Sequence, residues 1–133
     1  MFTTHRRVEF GETDLAGILH FSNFFRFMES AETDFLHSKK LSVHWTEGSI
    51  RYGFPRVSAS CDYAKPAFFE DVLAVGVTLE KIGTKSLNYR FDFKRGDDAI
   101  ATGRIAAVFC RSAGPGQIES IPIPETLRQQ LEG

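Results

Sequence analysis

One long amphipathic helix followed by a run of strands is the pattern that most limits what this chain can become. Between residues 22 and 39, Phe24, Met28, Ala31 and Phe35 fall four, three and four apart, with Arg26, Ser30, Thr33 and His37 on the opposite face. Ser22 stands where an N-cap is expected. Phe25, Phe27 and Leu36 widen the apolar stripe, so protein is expected to wrap the helix on most sides. After residue 55 the period becomes two. Val57, Ala59, Cys61 and Tyr63 alternate with Arg56, Ser58, Ser60 and Asp62, and Leu73, Val75, Val77 and Leu79 with Ala74, Gly76, Thr78 and Glu80. Leu87, Tyr89, Phe91 and Phe93 oppose Asn88, Arg90, Asp92 and Lys94, while 99–111 is apolar on both faces, as suits a central strand. One helix with four or five antiparallel strands defines an α+β chain. A single helix cannot cover both faces of such a sheet, so a second subunit is expected against it.

The connections are punctuated by turn residues: KPAFFED at 65–71, Gly83, Gly96-Asp97-Asp98 and Gly114-Pro115-Gly116. Residues 5–10 read as a short strand, 40–54 as loop, 117–121 as a short strand and 124–131 as a helical turn. At 133 residues the chain fits one domain, 1–133, with room for a real core. Its net charge of -1 and scattered basic residues give no support for nucleic-acid binding. No apolar run reaches membrane-spanning length and MFTTHRRVEF lacks a signal-peptide core, so a cytoplasmic protein is expected. Cys61 and Cys110 sit in apolar segments and read as reduced core residues, and the four histidines have no ligand-like spacing, so neither a metal nor another cofactor is expected. Thirteen phenylalanines, many between Phe10 and Phe35, point to a thick core, an oligomer interface or an apolar pocket.

The chemistry concentrates in GETDLAGILHFSNFFRFMESAETDFL, Gly11 to Leu36. Asp14 and His20 flank the small-residue turn Ala16-Gly17, and the helix follows at once. A carboxylate beside a helix N-terminus can attack an acyl carbonyl or activate water, while free N–H groups hold the developing oxyanion. Asp is ionised at neutral pH near its reference value of about 3.9 and needs no prior activation. Taken alone, Asp14 is also a reasonable turn or capping residue, and His20 divides between a pocket polar group and a structural histidine.

The segment D14-L15-A16-G17-I18-L19-H20-F21-S22-N23, with DYAKPAFFED at 62–71 and EKIGTKSLNYRFDF at 80–93, resembles the hotdog-fold 4-hydroxybenzoyl-CoA thioesterase family. That family includes acyl-CoA thioesterases of the YbgC type and dihydroxynaphthoyl-CoA thioesterases. The resemblance covers nearly the whole chain and implies a long central helix wrapped by a five- or six-stranded antiparallel sheet. It implies hydrolysis of an acyl-CoA or acyl carrier protein thioester by a homodimer or homotetramer. It carries the catalytic carboxylate to Asp14 and the carbonyl-polarising N–H to the neighbourhood of Phe21, with Gly17 and Asn23 beside the substrate. His20 falls where the family is usually aromatic. Lys65, Lys85 and Arg90 are candidates for the coenzyme A phosphates, Lys85 because its hairpin lies near the pantetheine arm in relatives. Two other readings compete: a hotdog hydratase or dehydratase using Asp14 and His20, and a non-catalytic acyl-binding subunit.

Overall fold

The computed structural model describes residues 1–133. The chain runs β1 (Phe2–Arg7), a 3-10 turn (Phe10–Glu12), α1 (Phe21–Ser38), β2 (His44–Glu47), β3 (Ile50–Gly53), β4 (Arg56–Tyr63), β5 (Val72–Ile82), β6 (Ser86–Arg95), β7 (Asp98–Val108), β8 (Cys110–Ser112), β9 (Ile118–Ser120) and α2 (Glu125–Glu132). The main sheet is antiparallel throughout, in the order β1-β5-β6-β7-β4, and a smaller one runs β2-β3-β8-β9.

The alternation in β5 and β6 explains how α1 sits. Leu73, Val75 and Val77 join Leu87, Tyr89, Phe91 and Phe93 on one sheet face, where Phe24, Phe27, Met28, Ala31, Phe35 and Leu36 of α1 bury against them. Each buried Phe contributes roughly 1.5–3 kcal/mol of transfer free energy. Edge-to-face pairs lock the two layers: Phe24 on Phe93 at 5.2 Å and Phe35 on Tyr89 at 5.9 Å. At Gly103 of β7 the helix side chains leave no room for a Cβ, which would stand 2.6 Å from Met28 Sδ.

One charge enters this layer. Glu32 of α1 is 0% exposed, and Arg56 donates from Nε (2.9 Å) and Nη2 to its Oε1. Glu32 Oε2 and the buried Tyr89 hydroxyl have no hydrogen-bond partner. Burial pushes the Glu32 carboxyl above the usual carboxylate range, against the pull of Arg56, and pushes the Tyr89 phenol upward as well.

Several local expectations are corrected. The first strand is Phe2–Arg7 rather than 5–10: Phe10 enters the 3-10 turn, which Glu9 and Glu12 close with a capping box. The helix is capped by His20, not Ser22. Residues 40–54 hold the β2–β3 hairpin, which turns at Gly48 (φ 62°) and gains its third strand from β8, a partner far along the chain. The 99–111 stretch divides, because Phe109 leaves the main sheet and donates its N–H to Lys85 O at 2.7 Å. β4 does not bury an alternating face: a register shift after Arg56 and its edge position leave Val57 65% and Tyr63 46% exposed. Cys61 and Cys110 are free thiols but only half-buried, and burial and Asp62 raise the Cys61 thiol to about 11.

Candidate active site

The segment between β1 and α1 is a knot of backbone hydrogen bonds around one side chain. Asp14 N–H donates to Ile18 O, and Gly17 N–H donates to Asp14 O, each at 2.9 Å. The Asp14 carboxylate closes the same turn: Oδ1 accepts from Ala16 N–H at 2.9 Å and Ile18 N–H at 3.4 Å. Gly17 lies at φ +79°, which a side chain adopts only with strain. Leu19 N–H then donates to Ala67 O at 2.7 Å, tying the turn to the 65–71 connection.

His20 is the hinge between this turn and the helix. Its N–H donates to Glu12 O at 2.9 Å, and Asn23 Nδ2 donates to the same oxygen at 2.8 Å. The Asn23 amide is thus a strut under the helix start. His20 Nδ1 accepts from Ser22 N–H at 3.2 Å and lies 2.8 Å from Ser22 Oγ. A ring nitrogen that accepts an N–H is unprotonated, so the neutral imidazole carries its hydrogen on Nε2. The Phe21 ring stacks on His20 with centroids 4.6 Å apart. Phe21 N–H opens the helix and has no intrahelical acceptor, and Phe21 O accepts from Tyr63 OH at 3.2 Å.

Asp14, Gly17, His20 and Phe21 line one open cleft of about 950 Å³, together with Phe10 and Thr13. Its surroundings are unusually apolar for a surface: Leu15 is fully exposed, Phe10 is 75% exposed, and Phe10 packs edge-on against Phe69.

The three cations expected near phosphates lie outside this lining. Lys65 pairs with Asp98 at 3.0 Å. Arg90 pairs with Asp92 at 3.1 Å, and both side chains stand on the sheet face turned away from α1, between the buried Tyr89, Phe91 and Phe93. Lys85 is exposed in the β5–β6 turn. Two contributors were missed in the sequence. Ser22 partners the imidazole it was expected to replace as cap. Tyr63, read only as one member of an alternating strand face, reaches the helix start from the edge strand; no local pattern carries that long-range contact.

A sequence profile described as the thioesterase-like superfamily matches residues 8–131. A relative from Aquifex aeolicus (strain VF5), provisionally named an esterase, is 33% identical over 121 residues, 91% of each chain. The 1,4-dihydroxy-2-naphthoyl-CoA hydrolase of Nostoc punctiforme is 27% identical over 139 residues, covering 99% of this chain and 92% of its own. Among solved structures, a gentisyl-coenzyme A thioesterase superposes with a TM-score of 0.79 at 25% identity, covering 99% of this chain and 100% of its own. The chain belongs to the thioesterase-like superfamily and has the hotdog fold. Its class of chemistry is thioester hydrolysis.

Proposed function

We propose that this protein hydrolyses an acyl-CoA, of aromatic acyl type, to the free acid and coenzyme A, with Asp14 as the reacting carboxylate. The observation that carries the reading is the placement of a carboxylate and an uncapped helix N–H on one cleft. Asp14 Oδ1 is held by two backbone amides, which leaves Oδ2 as its reactive oxygen. The Phe21 N–H and the helix dipole supply partial positive charge where a thioester oxygen becomes an oxyanion. Oδ2 either attacks the thioester carbon, giving a mixed anhydride that water cleaves, or removes a proton from the water that attacks it. In both routes the C–S bond breaks and sulfur leaves as thiolate, which needs no proton to depart. His20 lines the cleft as a donor through Nε2–H rather than as the base.

The aromatic acyl group is supported by the exposed Phe10 and Phe21 around the cleft and by the aroyl-CoA substrates named for two relatives. Coenzyme A is preferred to an acyl carrier protein on those names alone. A homodimer or homotetramer is the proposed working unit, because β4 leaves an unpaired sheet edge with Val57 and Tyr63 exposed, and the cleft has uncovered apolar groups of its own. The test is thiol release from a panel of aroyl- and fatty acyl-CoAs. Turnover of at least one aroyl-CoA, faster than of the fatty series, is expected; no thiol from any member refutes the activity. Light scattering is expected to give at least twice 15.0 kDa.

A further inference from the structure

At the far end of α1 from Asp14, about 27 Å away by the rise of an 18-residue helix, a second cavity opens. It occupies about 600 Å³ between the C-terminal end of α1, the β2–β3 hairpin and the first turn of α2. That is the size of an ordinary small-molecule site. One wall is aromatic. Trp45, Tyr52 and Phe109 lie 5.8–5.9 Å apart pairwise, with planes within 25° of parallel. Three mutually equidistant, near-parallel rings cannot form a column, whose outer members would be twice as far apart as neighbours. Phe109, 1% exposed, backs the other two, so Trp45 and Tyr52 form the platform open to the cavity. Phe54 packs on this cluster, 5.3 Å from Phe109 and itself 1% exposed, which fixes the rings. Trp45 and Tyr52 remain half-exposed.

The rim carries charge in a defined order. Lys40 lies at φ 60°, just past the helix, and forms no ion pair, so its ammonium is free to meet an anion. Glu47, also on the lining, lies at the other end of β2, about 10 Å of strand beyond His44. A flat ring on the platform can therefore place one carboxylate at Lys40, whereas a phosphate-rich group would also meet Glu47. We propose that this cavity is a second binding site, for a planar aromatic monocarboxylate. Free acids released from aroyl thioesters belong to that class, but the site rests on its own chemistry and not on the role of Asp14.

The chain has a single tryptophan, Trp45, so its own fluorescence reports this cavity. Benzoate, 1-naphthoate and adenosine 3′,5′-bisphosphate are titrated separately into the wild type, Lys40→Gly and Tyr52→Leu. Glycine suits the left-handed backbone at position 40, so the first variant keeps the fold. Saturable quenching by 1-naphthoate is expected, with a dissociation constant raised about tenfold in each variant, equivalent to about 1.4 kcal/mol. The bisphosphate is expected to leave the signal unchanged. Absence of saturable quenching by both carboxylates overturns the site, as does unaltered affinity in Lys40→Gly. Tighter binding of the bisphosphate than of 1-naphthoate overturns the ligand class. None of these readings requires turnover, so a failed thioesterase assay and a failed second site are distinguishable.

Discussion

Replacing Asp14 by Asn separates the two things this side chain does. In the turn it is an acceptor: Oδ1 takes the N–H groups of Ala16 at 2.9 Å and Ile18 at 3.4 Å. An Asn carbonyl oxygen occupies the same place and accepts the same two bonds, so the fold is expected to lose at most about 1 kcal/mol. What disappears is the anion, and with it the proposed nucleophile or base. Thiol release is expected to fall by about 10² or more, which at 1.36 kcal/mol per decade is a barrier rise of about 2.7 kcal/mol. Asp14→Ala removes charge and acceptor together. It is expected to match the Asn variant in turnover but to unfold about 1 kcal/mol more easily, since the part-buried Ile18 amide loses its partner while the exposed Ala16 amide turns to water. The assay pairs continuous detection of free thiol with urea unfolding of all three proteins. A folded Asn variant that turns over within about threefold of wild type would falsify the assignment, whatever the Ala variant does. Single turnover in heavy-oxygen water then tests the covalent route: label recovered in Asp14 marks a mixed anhydride opened at the Asp14 carboxyl carbon, whereas label confined to the product fits the general base or an anhydride opened at the acyl carbon, and rapid-quench trapping of an acylated Asp14 separates those two.

His20→Phe removes both the ring donor and the helix cap, so it is expected to lose about tenfold or less in turnover and about 1 kcal/mol in urea unfolding; His20→Asn, which keeps a cap acceptor, is expected to restore the stability alone. A loss in His20→Asn as deep as that of Asp14→Asn shows an essential acid–base pair instead. Tyr89→Phe deletes a buried hydroxyl without a partner and is expected to raise urea stability by up to about 1 kcal/mol; a loss of that size means the hydroxyl is bonded, for instance to a buried water. Glu32 holds its proton more tightly folded than unfolded, because burial outweighs Arg56 in its environment. Its contribution to stability is therefore greatest below its unfolded value near 4.5 and declines as pH rises toward the folded one. Glu32→Gln is expected to lack that decline, so its stability relative to wild type improves between pH 4 and pH 7 in parallel unfolding curves; an improvement in the opposite direction shows that the Arg56 pair dominates.

The parts of this molecule that follow from local rules were legible before folding, and the parts that depend on distant partners were not. The period-two runs at 73–79 and 87–93 name the buried residues of β5 and β6, because a strand covered on one face must alternate. The same rule fails at 56–63, where the alternation is present but the strand lies at the sheet edge, so its apolar members wait for a surface the chain does not supply. The β2–β3 hairpin was unreadable at 40–54 because its third strand, β8, arrives nearly sixty residues later, and short strands draw their stability from such pairing rather than from their own sequence. The Asp14 turn was legible as a turn since Asp, Ala and Gly carry their conformational demands locally. The place of His20 was not: a histidine at the helix start, rather than Ser22 two residues on, is the cap, and that choice sets which ring nitrogen accepts from the backbone. Backbone satisfaction of the helix thus commits His20 Nδ1 to the cap and leaves Nε2 as the uncommitted ring nitrogen. The imidazole cannot lend Nδ1 to a substrate without uncapping α1, and this is the physical reason the proposed mechanism assigns the basic role to Asp14 rather than to His20.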